Sequence, residues 1–445
     1  MAQRFLLTGM DPDSLFARDV WMIQKIDVAY GRGYVPLQAD SNLAEWSVIR
    51  PHFEAALEDP GQAFIRAVRN PIGTKPLKEL VKPNDRIVIA TSDGTRPVPN
   101  RQLIPWLLEE LPVPENQVTV LVGTGTHRPN TDEELAQMFG EEVVNRVNIV
   151  NHDAFDETGN EHIGQTKSGT PVVLNKIYLQ ADFKIAVGFI EPHFFAGFSG
   201  GPKAVAPGVA SIDTIFRLHR AELIGDPKST WGILDENPLH AEIREAVALC
   251  PPDFMVNVTL NAKKKISGYY VGDYREAHMK GCADVKASAM VAVKGPFPVV
   301  VTSNSGFPLD QNLYQTVKGL SAAARIVADG GKVFVASECS DGVPNHGNFA
   351  SLMLAGKTPD DVIQSVYEKE PILDQWQAQV LSNILKRADV DVFTAMDADQ
   401  VRNCKMSVVD DLDEAVHAHV KALGADTRVA VLPDGPLTIP YLEGL

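Results

Sequence analysis

The chain has 445 residues, 44% hydrophobic and 22% charged, with 33 glycines and 30 prolines; this is the composition of an ordinary globular protein and excludes a disordered or fibrous chain. Its 57 acidic residues outnumber 41 basic ones, giving a net charge of −16, and no block of five like charges occurs, which argues against a nucleic-acid-binding surface. The length allows two or three domains, each able to bury a core without disulfides or a structural metal.

The first residues, MAQRFLLTGMDPDSLFARD, hold only a three-residue apolar run before Asp11 and Asp13, and nowhere do about 18 apolar residues run unbroken. Neither a secretory leader nor a membrane contact is expected, and the protein is expected in the cytoplasm. Cys250, Cys282, Cys339 and Cys404 are scattered with no CxxC pair and read as buried free thiols.

Further on, short β-branched runs recur and each ends in a cluster of Gly, Thr, Ser, His or Asp: Arg86–Asp93, Val118–His127, Val147–Asp153 and Phe183–Ile190. Continuous runs of this length suit strands buried on both faces, as parallel sheets require. Between them lie predicted helices at Asn100–Glu110, with Asn100 as N-cap, and at Thr131–Phe139, where Thr131 and Glu134 form a capping box. Lys286–Val299 reads as a helical stretch ending in a Pro/Gly turn and leads to a second set of elements. These are strands at Pro298–Asn304, Ile326–Ser337 and Val390–Ala395, helices around Leu320–Ile326 and Asp360–Tyr367, and a closing strand from Thr427. The alternation predicts an α/β fold of two α/β domains with largely parallel sheets and the active site in the cleft between them. The first domain is expected to span 1–290, completed by 425–445, and the second 296–424.

In open parallel sheets ligands bind beyond the carboxyl ends of the strands, where loops and helix N-termini offer unpaired N–H groups. Here those ends carry Ser92-Asp93-Gly94-Thr95-Arg96, Gly123-Thr124-Gly125-Thr126-His127-Arg128, His152-Asp153 and Glu191-Pro192-His193. A single histidine at a strand end is usually structural or merely exposed; four such ends together point to chemistry. The loop Phe194–Gly208 is glycine-rich and contains Lys203. It is not a P-loop, because Pro202 and Ala204 replace the second motif glycine and the Ser/Thr after the lysine. Its plainer reading is a tight turn with a solvated lysine, against which three glycines within five residues favour close approach of the backbone to a ligand. Ser211 reads as the N-cap of a helix that places His219 near the end of its second turn, where a histidine with apolar neighbours is ordinarily a core residue. On Asp310–Lys318, helical spacing puts Gln311, Gln315 and Lys318 on one face, ordinarily a solvated one but able to reach an inter-domain cleft.

The segments SDGTRPVP, GTGTHRPNT, NHDA, GFIEPHFFAGFSGGPKAVAPG and NPLHAEI, in this order and spacing, closely resemble the lactate racemase family. The resemblance runs from about Ile26 onward and is most specific between Gly188 and Gly208. It implies a nickel-pincer nucleotide, the Ni(II) complex of pyridinium-3,5-bisthiocarboxylic acid mononucleotide, covalently attached to Lys203 with His219 as the protein's nickel ligand. It further implies His127 and His193 as catalytic residues and Asp93, Gly94, Thr95 and Arg96 as the nucleotide-binding turn. Gln315 and Lys318 are the implied substrate-binding pair, with Tyr314 and Trp376 as further pocket residues. The activity implied is racemisation or 2-epimerisation of a small-molecule α-hydroxy acid, and the partners implied are cofactor-synthesis proteins.

Elementary chemistry agrees with this carry-over. The C2–H bond of a hydroxy acid is only weakly acidic, and a hydride acceptor avoids a carbanion. One acid/base group is then needed for each substrate orientation, and histidine exchanges protons near neutral pH. Two alternatives remain on the sequence: a metal-dependent hydrolase using His127, His152, Asp153 and His193, which lacks compact ligand spacing, and a non-catalytic nucleotide- or cofactor-binding protein of the same fold.

Overall fold

The computed structural model describes residues 23–444 apart from Phe53, Asn345 and His346. The leaderless reading of the first nineteen residues lies outside the described ones. Two six-stranded sheets organise the chain. The first runs, edge to edge, Ile266–Gly272, Phe254–Leu260, Phe183–Phe189, Ile87–Ser92, Val118–Gly123 and Asn148–Asn151, and is parallel except for the edge strand Ile266–Gly272. The second runs Ser407–Val409, Ala388–Phe393, Val327–Ala336, Phe297–Ser303, Arg428–Leu432 and Glu45–Val48, and is parallel throughout. Among the described residues no helix is long and apolar enough to cross a membrane.

The apolar runs behave as strands covered on both faces. Along Ile87–Ser92, Val88 and Ala90 enter one core while Ile87 and Ile89 enter another on the opposite face. In the second sheet Val300 faces one core, and Val299 and Val301 the other. This two-residue alternation explains why the sequence shows unbroken hydrophobic runs there rather than polar alternation.

Several elements differ from expectation. Residues 425–445 divide between the domains: Arg428–Leu432 inserts into the second sheet beside Phe297–Ser303, and Ile439–Leu442 pairs in parallel with Met290–Val293. The amino-terminal residues also leave the first domain, since Glu45–Val48 closes the edge of the second sheet and the hairpin Ile23–Tyr30/Gly33–Asp40 packs into its core. Apolar pairing across a sheet edge, invisible to local periodicity, decides both. The helix before the second domain ends at Ala289, and Met290–Val293 is a strand. Pro99 rather than Asn100 occupies the cap of Asn100–Glu110, because the Asn100 side chain instead accepts the Thr91 hydroxyl at 2.9 Å in the interior. The Thr131/Glu134 capping box is present.

The domains are tied at defined points. Trp231 Nε1 donates to Ser321 Oγ at 2.9 Å, Arg325 Nη1 to Thr230 Oγ1 at 3.0 Å, and Gln379 Nε2 to the Ala221 carbonyl at 2.9 Å. In the first sheet the chain order reverses between Ile87–Ser92 and Phe183–Phe189, the position at which open α/β sheets leave a crevice beyond the carboxyl ends of their strands.

Candidate active site

One wall of that crevice is the turn after Ile87–Ser92. Gly94 N donates to Asn130 Oδ1 at 3.0 Å, and Arg96 N closes the turn onto the Asp93 carbonyl at 3.2 Å. Asp93 is buried; its Oδ1 accepts from Thr95 Oγ1 at 2.7 Å and its Oδ2 meets His127 Nδ1 at 2.8 Å. Burial alone would raise the Asp93 pKa, but the His127 hydrogen bond and charge, with Thr95 and Arg96, outweigh it and hold the carboxyl below its ordinary range. His127 itself comes from the turn after Val118–Gly123, where Gly125 N reaches the Gly208 carbonyl at 3.2 Å. A Cβ on Gly123 would stand 2.9 Å from that same oxygen, so only glycine lets the two loops meet.

The other wall follows Phe183–Phe189. Pro192–His193 pairs with Gly197–Phe198 in a tight antiparallel turn, and Gly197 has both a φ of 78° and no room for a Cβ, which would overlap the Ile233 carbonyl. Within the turn His193 Nδ1 accepts from Ala196 N at 3.2 Å and Phe195 N at 3.4 Å. Gly201 N donates to the buried Asn257 Oδ1 at 2.7 Å, fixing the short 3-10 turn Gly201–Ala204 that carries Lys203.

The Phe195 ring is the hub. Its centroid lies 5.9 Å from Lys203 Nζ, 4.5 Å from the His193 ring and 5.6 Å from the His219 ring. His219 closes the C-terminal end of Ile212–Leu218; its Nδ1 donates to the Ile215 carbonyl at 2.8 Å, which leaves the lone pair on Nε2. Across the cleft, Trp376 of the helix Gln375–Arg387 stands 4.6 Å from the His219 ring and donates Nε1–H to Tyr314 Oη at 3.1 Å. Tyr314, Gln315 and Lys318 share the helix Leu313–Ala324, capped by Asn312, and Lys318 Nζ donates to Gln315 Oε1 at 2.7 Å.

These groups keep some surface on the cleft yet lie deep among protein atoms. Desolvation, then the Arg96 charge, lowers Lys203 to about 7, and the same two causes lower Lys318 to about 7. Burial brings His219 down to about 4. It also lowers His193 well below its ordinary value, with Lys203 as the next cause. Glu191 is raised by burial in spite of Arg96, Lys318 and Lys203 nearby. The site thus favours neutral amines and imidazoles around one carboxyl group.

Other residues singled out on the sequence stand elsewhere. His152 is buried with both ring nitrogens engaged, by the Ala210 carbonyl at 2.9 Å and Asn175 Nδ2 at 3.1 Å, and Asp153 Oδ1 accepts from Phe155 N. Arg128 turns out to Glu134. Gln311 precedes its helix and binds Asp341. The Ser211 hydroxyl makes no cap bond. Among the described residues no three His, Cys, Asp or Glu side chains form a set able to hold a metal. Sequence reasoning overlooked the central place of Phe195, the charge role of Glu191 and the support from Asn257. The doubled phenylalanine and the glutamate of EPHFF were the available signals.

Fold and site together define a two-domain α/β enzyme with a buried lysine and histidines at the switch point of its first sheet. Residues 30–232 match the family model described as the lactate racemase N-terminal domain, and 293–439 match the lactate racemase C-terminal domain. A lactate racemase of Thermoanaerobacterium thermosaccharolyticum is 40% identical over 376 residues, covering 83% of this chain and 88% of the relative. One of Lactiplantibacillus plantarum is 38% identical over the same shares. The solved lactate racemase apoprotein of T. thermosaccharolyticum superimposes with a TM-score of 0.87 at 36% identity, covering 94% of this chain and all of that one. A Thermotoga maritima structural-genomics protein shares the fold, with a TM-score of 0.66 at 19% identity, over 88% of this chain and all of that one. The chain belongs to the lactate racemase family and is an isomerase of the racemase type.

Proposed function

We propose that this chain racemises or 2-epimerises an α-hydroxy acid, using a nickel-pincer nucleotide attached to Lys203. The observation that carries the reading is the grouping of Lys203, His193 and His219 around Phe195, with Lys203 lowered to about 7 and His219 left with a free Nε2. Family membership implies a nickel-dependent cofactor, and the residues present suit one. A lysine joins an acyl carbon only as the neutral amine, which a pKa of about 7 makes abundant. A neutral imidazole is a borderline ligand that suits nickel beside sulfur donors. The close approach of Gly123 to Gly208 leaves backbone rather than side chains along that edge of the crevice.

When bound, such a group would supply a hydride acceptor for substrate C2. Lys203 would tether it, His219 would ligate the nickel through Nε2, and Asp93–Arg96 would hold the nucleotide, with Arg96 suited to forking onto a phosphate. Lys318, lowered to about 7 and oriented by Gln315, would meet the substrate carboxylate, whose negative charge favours the protonated amine as it binds. His127 and His193 exchange the hydroxyl proton, one for each enantiomer. Tyr314 and Trp376 close the pocket from the second domain. The hydrolase alternative loses support because His152 has both ring nitrogens engaged.

The test is protein made together with the cofactor-synthesis proteins, followed by intact mass, nickel content and chiral chromatography with a panel of α-hydroxy acids. The expected result is an added mass, one nickel per chain and interconversion of enantiomers. Hydrolysis of an ester or amide by cofactor-free protein would contradict the reading.

A further inference from the structure

The two histidines proposed to exchange the hydroxyl proton are held by opposite kinds of partner. His127 Nδ1 lies 2.8 Å from Asp93 Oδ2, a carboxylate oxygen that can only accept, so in the neutral ring Nδ1 carries the hydrogen and Nε2 the lone pair. His193 Nδ1 lies 3.2 Å from Ala196 N and 3.4 Å from Phe195 N, backbone groups that can only donate, so there Nδ1 carries the lone pair and Nε2 the hydrogen. Neither partner is free to turn. Thr95 Oγ1 fixes the other Asp93 oxygen at 2.7 Å, and pairing of Pro192–His193 with Gly197–Phe198 fixes the backbone N–H groups.

We propose that the histidines are preset unequally: His127 as a proton acceptor through Nε2, with Asp93 as its positioning residue, and His193 as a hydrogen-bond donor through Nε2, set by the Phe195–Ala196 backbone. This rests on the racemase reading above and adds to it an inequality between the two enantiomers. For the enantiomer whose hydroxyl faces His127, the O–H bond breaks, the proton joins Nε2, and the bonding pair stays on oxygen to form the carbonyl as C2 gives up its hydride to the acceptor named above. The resulting imidazolium keeps Nδ1–H on Asp93. The opposite enantiomer meets an Nε2 that is already protonated. His193 accepts its proton only after the ring hydrogen has moved to Nδ1 and the contact with Ala196 N–H is lost.

The first test uses the full-length chain without cofactor, labelled with 15N in its imidazoles, with the two histidines assigned through His127→Gln and His193→Gln. Two-bond proton–nitrogen spectra should show a protonated Nδ1 in His127 and an unprotonated Nδ1 in His193; the same tautomer in both overturns the proposal. In Asp93→Ala the His127 preference should disappear while His193 is unchanged, and Asp93→Asn, whose Oδ1 can still accept, should restore it. A His127 pattern untouched by Asp93→Ala removes Asp93 from its positioning role. In loaded protein, a single turnover should form keto acid about tenfold faster from one enantiomer, the worth of one hydrogen bond, and Asp93→Ala should erase the difference. Equal single-turnover rates contradict the inequality. A chain that oxidises neither enantiomer contradicts the racemase reading instead, and the tautomers are still decided by the spectra.

Discussion

The two sheets have switch points of the same kind, and their strand ends carry different side chains. In the first, between Ile87–Ser92 and Phe183–Phe189, the strand ends hand over to turns carrying Asp93, Glu191 and His193. In the second, between Phe297–Ser303 and Arg428–Leu432, the equivalent space is filled by the protein itself. Ser303 Oγ donates to the Pro433 carbonyl at 2.8 Å and Ser305 Oγ to the Asp434 carbonyl at 2.5 Å. The amino-terminal hairpin seals the rest: Ala29 N reaches the Pro433 carbonyl at 3.0 Å, and Gly31 N reaches the buried Asp310 Oδ2 at 2.6 Å. Topology offers a crevice at either place, and the side chains at the strand ends decide whether it holds a ligand or a plug.

Substitutions should therefore separate chemistry from stability. The largest effect belongs to the first site: Lys203→Ala should abolish both the adduct and racemisation in the loaded preparation, with a thermal midpoint no lower than that of the cofactor-free wild type. His219→Ala should lose nickel, measured by metal analysis, while the organic adduct stays on Lys203, because tether and ligand are separate bonds. Wild-type nickel in that variant would exclude His219 as the ligand.

At the plugged site the effect should fall on stability. Asp310→Ala strands the N–H groups of Gly31 and Glu338, each now bonded to Oδ2. Unmade buried hydrogen bonds cost about 1–3 kcal/mol each, so urea unfolding should show a loss of about 2–4 kcal/mol with turnover at 25 °C retained. Next in size, Lys318→Ala should raise KM for the hydroxy acid by the roughly 1.5–3 kcal/mol of a charge-assisted contact, with less change in kcat; an unchanged KM would take Lys318 out of the site.

A pH signature should accompany these effects. Lys203 and Lys318 are lowered to about 7 in the folded chain, against about 10.4 for a free lysine. Between those values the unfolded chain binds the extra protons, so these groups make stability rise with pH across that window. Lys203→Met should flatten the rise in urea titrations between pH 7 and about 10; an unaltered slope would show that the amine is not desolvated.

Much of the first sheet was legible because strands covered on both faces leave continuous apolar runs, and because their ends bear residues a core would not choose. His127, His193 and Lys203 could be marked from the GTGTH, EPH and SGGPK segments alone. What the sequence hid was pairing at a distance. Arg428–Leu432 is a short apolar run like others and Glu45–Val48 is only half-buried and partly polar, and their placement in the second sheet follows from strand partners far away along the chain. The Asn100 cap failed for a related reason, since an interior partner, Thr91, competes for its side chain. Phe195 escaped notice because an aromatic residue in a loop reads as packing, whereas here its ring stands next to the amine and two imidazoles.

If the cofactor is joined at the first sheet's switch point through Lys203, peptide mapping of protein produced with the cofactor-synthesis proteins should find the added mass on the peptide containing Ser199–Lys203 and on no other. An adduct on Lys167 or Lys184, or on no lysine at all, would rule that attachment out.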